Sequence, residues 1–161
     1  MILGVFGPDG SAYIIANIKV PRLKVEGTFP LLVDTGADGT ALHMREAIQL
    51  LSTDATANNA WNDQKSWAKI RKRFRLLRNP TSIGGVGGTA TYFKEPAQIT
   101  FTHTGGKEES HDFGLDIAKP ASFGSRRFDE QFELPSLLGI DIINLFRLVV
   151  DFPNNRIFLE H

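Results

Sequence analysis

The sequence contains no cysteine, which excludes disulfides and thiolate chemistry and leaves the redox setting unread. It also lacks any apolar run approaching the roughly 20 residues that a membrane-spanning helix needs. The opening Met1–Gly7 carries no basic residue and runs straight into Pro8-Asp9-Gly10, which is unlike a secretory leader. No membrane association is therefore expected, and a cytoplasmic setting is. His43, His103 and His111 lack metal-ligand spacing and have no paired carboxylates to support a zinc site, so no metal or other cofactor is expected. Internal repeats and long linkers are missing as well. With 161 residues and 42% hydrophobic content, the chain fits one soluble domain over 1–161 with a core of its own.

Net charge is zero, yet it is unevenly spread. Residues 61–80 set Lys65, Lys69, Arg71, Lys72, Arg73, Arg75 and Arg78 against Asp63, a local balance of +6 that the remainder offsets.

The first part reads as strands and turns. Tyr13–Val20 places Ile14, Ala16, Ile18 and Val20 on one face. Glu26-Gly27 reads as a hairpin turn leading to a buried strand over Thr28–Val33. About residues 44–80 the period changes. Met44–Leu51 suits a short helix, Ser52–Asn59 is polar, and Trp67, Ile70, Phe74 and Leu77 form one stripe of a second helix that Asn79-Pro80 ends. The run Ser82–Gly88 is too rich in glycine for a strand interior. Strands are expected over Thr89–Phe93, Gln98–His103 and Asp112–Ala118, a late helix over about Ile140–Phe146, and a closing hairpin over Arg147–Leu159.

The most informative feature is Asp34-Thr35-Gly36-Ala37, a tight turn at the end of the apolar run Phe29–Val33. Taken alone, the tetrapeptide reads more often as an ordinary turn aspartate. A carboxylate used as a general acid or base near neutral pH needs a partner that shifts its affinity for protons. Two carboxylates about 3 Å apart share one proton, so that one serves as base and the other as acid. Only one Asp-Thr-Gly is present, and Asp38, Asp116, Asp141 and Asp151 lack its setting. Such chemistry would require a two-fold axis that brings Asp34 of two copies together.

With two distant segments added, the chain resembles the retroviral-type, or retropepsin-like, aspartic proteases. Leu32-Val33-Asp34-Thr35-Gly36-Ala37-Asp38 is similar to their catalytic loop. Ile83-Gly84-Gly85-Val86-Gly87-Gly88 is similar to their flap tip, and Leu137-Leu138-Gly139-Ile140-Asp141-Ile142-Ile143 to their late helix. The three occur in family order; residues 44–80 have no counterpart in the compact viral enzymes.

The resemblance implies a mainly β, retropepsin-like acid protease half-barrel with one short C-terminal helix and an inserted helical region. It implies an aspartic endopeptidase acting as a homodimer on a peptide or protein substrate, with Asp34 as the catalytic carboxylate. Thr35 would interlock with its twin beneath the pair, and Gly36 would admit the close turn. Leu32, Ala37, Asp38, Ile83, Gly84, Gly85, Val86 and Leu137 would meet substrate, Val86 as the apolar tip of a hinged lid. Family members commonly brace Asp38 with an arginine just after the late Gly. Ile140 stands there, leaving Arg126, Arg127 or Arg147 as substitutes and a solvated turn aspartate as the other reading of Asp38. Terminal strands form the dimer sheet in viral relatives, which points to Arg156–Leu159 and, less firmly, Met1–Phe6.

The rival reading is a non-catalytic peptide-binding or scaffolding dimer on the same fold. For the glycines, a structural turn is the other reading; a P-loop is excluded because no Gly-Lys-Ser/Thr follows. The basic helix reads first as a packed helix with solvated charges, then as a dimer or substrate-entry contact. Nucleic acid is disfavoured because its aromatics suit packing better than stacking. Ala37 yields a test. A serine hydroxyl at that position would donate to the adjacent carboxylate and favour its charged form. Ala37→Ser is therefore expected to move the pH optimum of peptide cleavage lower, and an unchanged or higher optimum would refute this account.

Overall fold

The structure is a computed structural model that describes residues 1–52, 64–85, 88–121 and 125–161. It is a mainly β protein built on a closed six-strand mixed barrel with a few short helices. Strand β2 (Ala12–Val20) and β3 (Val25–Val33) form an antiparallel hairpin, and two-residue β4 (Ala41–Leu42) follows. Strands β5 (Pro80–Gly85) and β6 (Gly88–Thr102) make a second hairpin, and β6 continues beside β7 (Glu108–Ala118). The short β8 (Leu137–Leu138) threads between β3 and β4, parallel to the first and antiparallel to the second. Barrel order is then β6-β7-β4-β8-β3-β2, closed where Asn17–Lys19 pair with Gln98–Thr100.

Alternation along these strands fills the interior. Ile14, Ile18, Phe29, Leu31, Ile99, Phe101, Leu115 and Ile117 are essentially unexposed. One end is covered by α1 (Met44–Leu51), which buries Met44, Ala47, Ile48, Leu50 and Leu51. Next comes α2 (Gln64–Phe74), whose stripe Trp67, Ile70 and Phe74, continued by Leu77, is buried as its spacing predicts. A third helix, α3 (Arg126–Phe132), precedes β8, and α4 (Ile140–Ile143) follows it, with turns carrying the chain on to Phe146. No described helix is long and apolar enough to cross a membrane.

Several sequence expectations need correction. The β2–β3 turn is Pro21–Lys24, not Glu26-Gly27, because Pro21 opens a one-turn 3-10 helix and Lys24 closes it in the left-handed region at φ 54°. The glycine-rich stretch is not a break between strands. β5 and β6 pair up to Gly85↔Gly88, since a main-chain ladder needs no side chains. The strands expected over Thr89–Phe93 and Gln98–His103 are one continuous β6. Helix α3 has no counterpart among the expected elements, as seven residues are too few to display a period. Residues 53–63, with Trp61 and most of the polar stretch, lie outside the described residues, as do Val86 and Gly87.

Outside the barrel, β1 (Ile2–Phe6) pairs with β2 and with β10 (Arg156–Glu160), and β10 pairs with β9 (Arg147–Asp151). Phe158 and Leu159 are thus paired on both sides within the chain. Among the described strands, the sheet edge left open at this end is β9.

A carboxylate fastens this outer sheet to the barrel. Glu109 on β7 accepts from His103 Nε2 at 2.7 Å, His111 Nε2 at 2.8 Å and His161 Nε2 at 3.0 Å. Burial works to raise its proton affinity. The hydrogen bonds from His161, His103 and His111 outweigh burial and hold the carboxyl down at about 2, from an ordinary 4.5. A carboxyl depressed on folding contributes stability that is complete above its unfolded value and fades as pH falls through its folded one. The Tm advantage of wild type over Glu109→Gln should therefore be present at about pH 5 and shrink as pH falls from 4.5 toward about 2. A difference independent of pH across that window would contradict the assignment.

Candidate active site

Asp34 follows the last residue of β3, where the chain leaves the sheet, crosses over β8 and re-enters as β4. Its main-chain N–H donates to Leu138 O at 3.1 Å, and Leu32 N–H donates to Ser136 O at 2.8 Å. The turn closes on itself through Ala37 N–H to Asp34 O at 3.2 Å, while Gly36 N–H donates to Asp34 Oδ1 at 2.9 Å. The Asp34 carboxylate is half-buried and has no cation partner among the described residues. Thr35 and Gly36 are exposed, and Ala37 is half-buried.

The far side of the loop is clamped to the start of α4. Thr40 is fully buried. Its N–H and hydroxyl donate to Asp141 Oδ2 and Oδ1 at 3.1 and 2.7 Å, and its Oγ1 accepts Gly139 N–H at 3.0 Å. Ile140 N–H donates to Ala37 O at 2.9 Å. A Cβ on Gly139 would stand 2.4 Å from the Gly39 carbonyl carbon, so only glycine lets the two backbones meet here. Strand β8 is steadied from its other end. Ser136 Oγ donates to buried Glu46 Oε2 at 2.9 Å and accepts His43 N–H at 2.9 Å, tying β8 to α1. Burial lowers the proton affinity of the His43 imidazole.

Asp116, buried on β7 beside Ala41, presses on the same loop. Its N–H donates to Thr40 O at 3.1 Å, and its Oδ2 meets Lys94 Nζ at 3.1 Å. Burial pushes the Asp116 carboxyl up, Lys94 pulls it back, and the charge of Asp141 adds to the rise. Its Oδ1 is buried without a hydrogen-bond partner among the described residues.

The predicted residues fall into two groups. Leu32 and Leu137 pair in register and sit half-buried beside Asp34, Thr35, Gly36, Ala37 and Asp38. Ile83, Gly84 and Gly85 belong to β5, the outer strand of a hairpin, which has β6 as its one neighbour among the described strands. Ile83 and Gly84 are exposed. Among the described residues no hydrogen bond joins them to the Asp34 loop, and Val86 is outside that set. Asp38 is exposed, and none of the arginines considered for it pairs with it. Arg126 is bound to Glu130 at 2.8 Å and Arg147 to Glu160 at 3.1 Å, while Arg127 is exposed. A hollow of about 600 Å³ opens elsewhere, on the outer face of β2, β3 and β6, among Lys19, Glu26, Thr28 and Gln98. It contains none of the predicted residues.

Sequence reasoning missed Thr40 and Lys94, and set Asp116 and Asp141 aside for lacking a catalytic setting. The available signal was position: Thr40 and Asp141 stand inside or beside two of the three linked segments. Compared with known proteins, the chain matches no family model and no curated sequence.

Removing Asp141 leaves two donors of a buried residue unpaired. Asp141→Ala is expected to lower the unfolding free energy by about 1–3 kcal/mol. Gly139→Ala should cost a similar ~1–3 kcal/mol through backbone overlap. Urea titrations of both variants measure this, and wild-type stability in Asp141→Ala would rule the clamp out.

Proposed function

We propose that this chain is an aspartic endopeptidase of the retropepsin-like kind, working as a homodimer in which two copies of Asp34 form one acid–base pair. The observation that carries this reading is Asp34 itself. It is a half-buried carboxylate on a loop clamped from both sides, bonded to Gly36 N–H and without a counter-ion among the described residues. On this reading the barrel and its outer hairpin are the half-barrel and flap of that family.

Symmetry explains several features of the single chain. Thr35 and Gly36 lie exposed where a twin loop would meet them. The open edge of β9 supplies main-chain donors and acceptors for an antiparallel partner across a two-fold axis.

The chemistry follows from the paired carboxylates. With one proton shared, the ionised Asp34 takes a proton from water as that water attacks the peptide carbonyl, and the protonated Asp34 donates to the carbonyl oxygen. The tetrahedral diol forms between them. Proton transfer to the amide nitrogen then accompanies C–N cleavage, releasing a carboxylic acid and an amine. Main-chain groups of Gly84 and Gly85 would bond an extended peptide from above, and Leu32 and Leu137 would offer it an apolar wall.

Peptide-library cleavage by wild type and Asp34→Asn, with mass measured in the same buffer, tests the proposal. Loss of acid–base function should reduce cleavage by about 10²–10⁴-fold, and the active species should have twice the chain mass. Equal cleavage by both proteins would eliminate the pair, and a strict monomer that retains activity would eliminate the shared site. Binding of library peptides without any cleavage would favour the scaffolding alternative.

A further inference from the structure

The outward face of α2 is charged beyond what folding requires. The buried stripe Trp67, Ile70, Phe74 and Leu77 turns Lys69, Arg71, Lys72 and Arg75 to solvent. The turn continues past Phe74 through Arg75 N–H to Arg71 O. None of these four has an ion-pair partner among the described residues. Glu95, the nearby buried carboxylate, is occupied by the Arg22 guanidinium and by Arg78 N–H. The helix dipole favours cations in the last turn and accounts for Arg71 and Lys72. Its effect fades within that turn and does not call for Lys69. The pairs Lys69–Lys72, Lys72–Arg75 and Arg71–Arg75, three or four positions apart, repel one another. A face held against its own repulsion is relieved by a bound anion.

Two observations indicate which anion. The aromatics of α2, Trp67 and Phe74, are 4% and 7% exposed, so the face offers no stacking platform for bases. Leu76, directly after Arg75, is 49% exposed. Cations around an exposed leucine match an acidic peptide with apolar side chains better than a phosphate backbone. The face is also fixed relative to the β5–β6 hairpin. Leu76 O accepts from Arg22, Arg78 N–H from the next turn reaches Glu95 on β6, and Lys94 N–H donates to Asn79 O at 3.2 Å. Arg75 lies five residues before Pro80, so at most about 18 Å of chain separates them. An extended peptide covers that span in about six residues.

We infer that Lys69, Lys72 and Arg75, flanked by Arg71 and Leu76, form a docking surface for an acidic segment of the protein substrate, beside the hairpin under which the scissile segment would lie. The identification of that partner as substrate rests on the proposed peptide hydrolysis; the binding surface itself does not.

The test separates the two. Fluorescence anisotropy with a labelled peptide of glutamates interspersed with leucines is run on Asp34→Asn, which carries the surface unaltered. Binding should weaken as salt rises from about 0.01 to 0.1 M, over which the screening length falls from about 30 to about 10 Å. Adding K69E/K72E/R75E should weaken it at least about tenfold. The neutral K69Q/K72Q/R75Q, checked for an unchanged Tm, should give an intermediate loss. No binding, equal binding to the charge-reversed protein, or tighter binding of a DNA duplex or anionic vesicle would each overturn the inference. In a second arm, wild type should cleave an acidic-tailed substrate with lower KM than a neutral-tailed one, and the glutamine variant should lose only that difference. Should wild type cleave neither, the hydrolase reading fails and the anisotropy still decides the surface.

Discussion

The passage of β8 beneath the 34–40 loop is the constraint on which the remaining structure depends. Two residues, Leu137 and Leu138, join β3 to β4, and without them the barrel has a gap between those strands. So short a strand contributes few ladder bonds, and parallel pairing is the weaker kind. The crossing is secured instead by groups outside the ladder. Ser136 and Glu46 hold its entry, and Thr40, Asp141 and Gly139 hold its exit. The backbone contact at Gly139 then sets how close the loop sits to α4, and therefore where Asp34 stands. Barrel closure and site geometry are one problem, solved by the same few hydrogen bonds.

A contrast among carboxylates follows from that architecture. Glu46, Glu95 and Asp116 are each buried and each has a cation: Arg45, Arg22 and Lys94. Burial without such a partner carries a large cost, so the pairing is expected on stability grounds alone. Asp34 is placed differently, half-exposed and, among the described residues, with only a main-chain donor from Gly36. A cation beside it would hold it ionised and remove its use as a proton acceptor and donor in turn. Leaving it without one costs little while water reaches it. On the proposed reading the arrangement would become demanding only when a second carboxylate and a substrate exclude that water, and a shared proton would then take the place of a counter-ion.

The parts of this molecule legible in its sequence were those governed by local pattern. Ile14 through Val20 alternate and Trp67 through Leu77 recur at helical spacing because one face of each element meets the core. The Asp34 turn was legible because its residue types are demanded by local geometry. Contacts between distant segments were not. Thr40 and Asp141 are 101 residues apart, and neither looks unusual beside its own neighbours. The pairing of Lys94 with Asp116 depends on the β6–β7 register, which no short window displays. The glycine stretch at 84–88 reads as a strand break because propensity counts side chains. Hydrogen bonding between β5 and β6 depends only on backbone.

The basic helix acquires a particular meaning if two copies share one site. A two-fold axis would present two copies of the α2 face to one substrate, whereas a bound peptide has a direction and no such symmetry. An acidic segment on either side of the scissile bond would then find a cationic face near one hairpin or the other. Recognition at the carboxylate pair concerns a few residues around the bond to be cut, and an apolar groove discriminates among those only modestly. A charged surface beyond those residues would add selectivity without altering the cleft, and its place is fixed because Arg22 and Glu95 lock the end of α2 to the base of the hairpin. On the proposed reading, residues 44–80 would thus act through substrate choice rather than through the chemistry of Asp34.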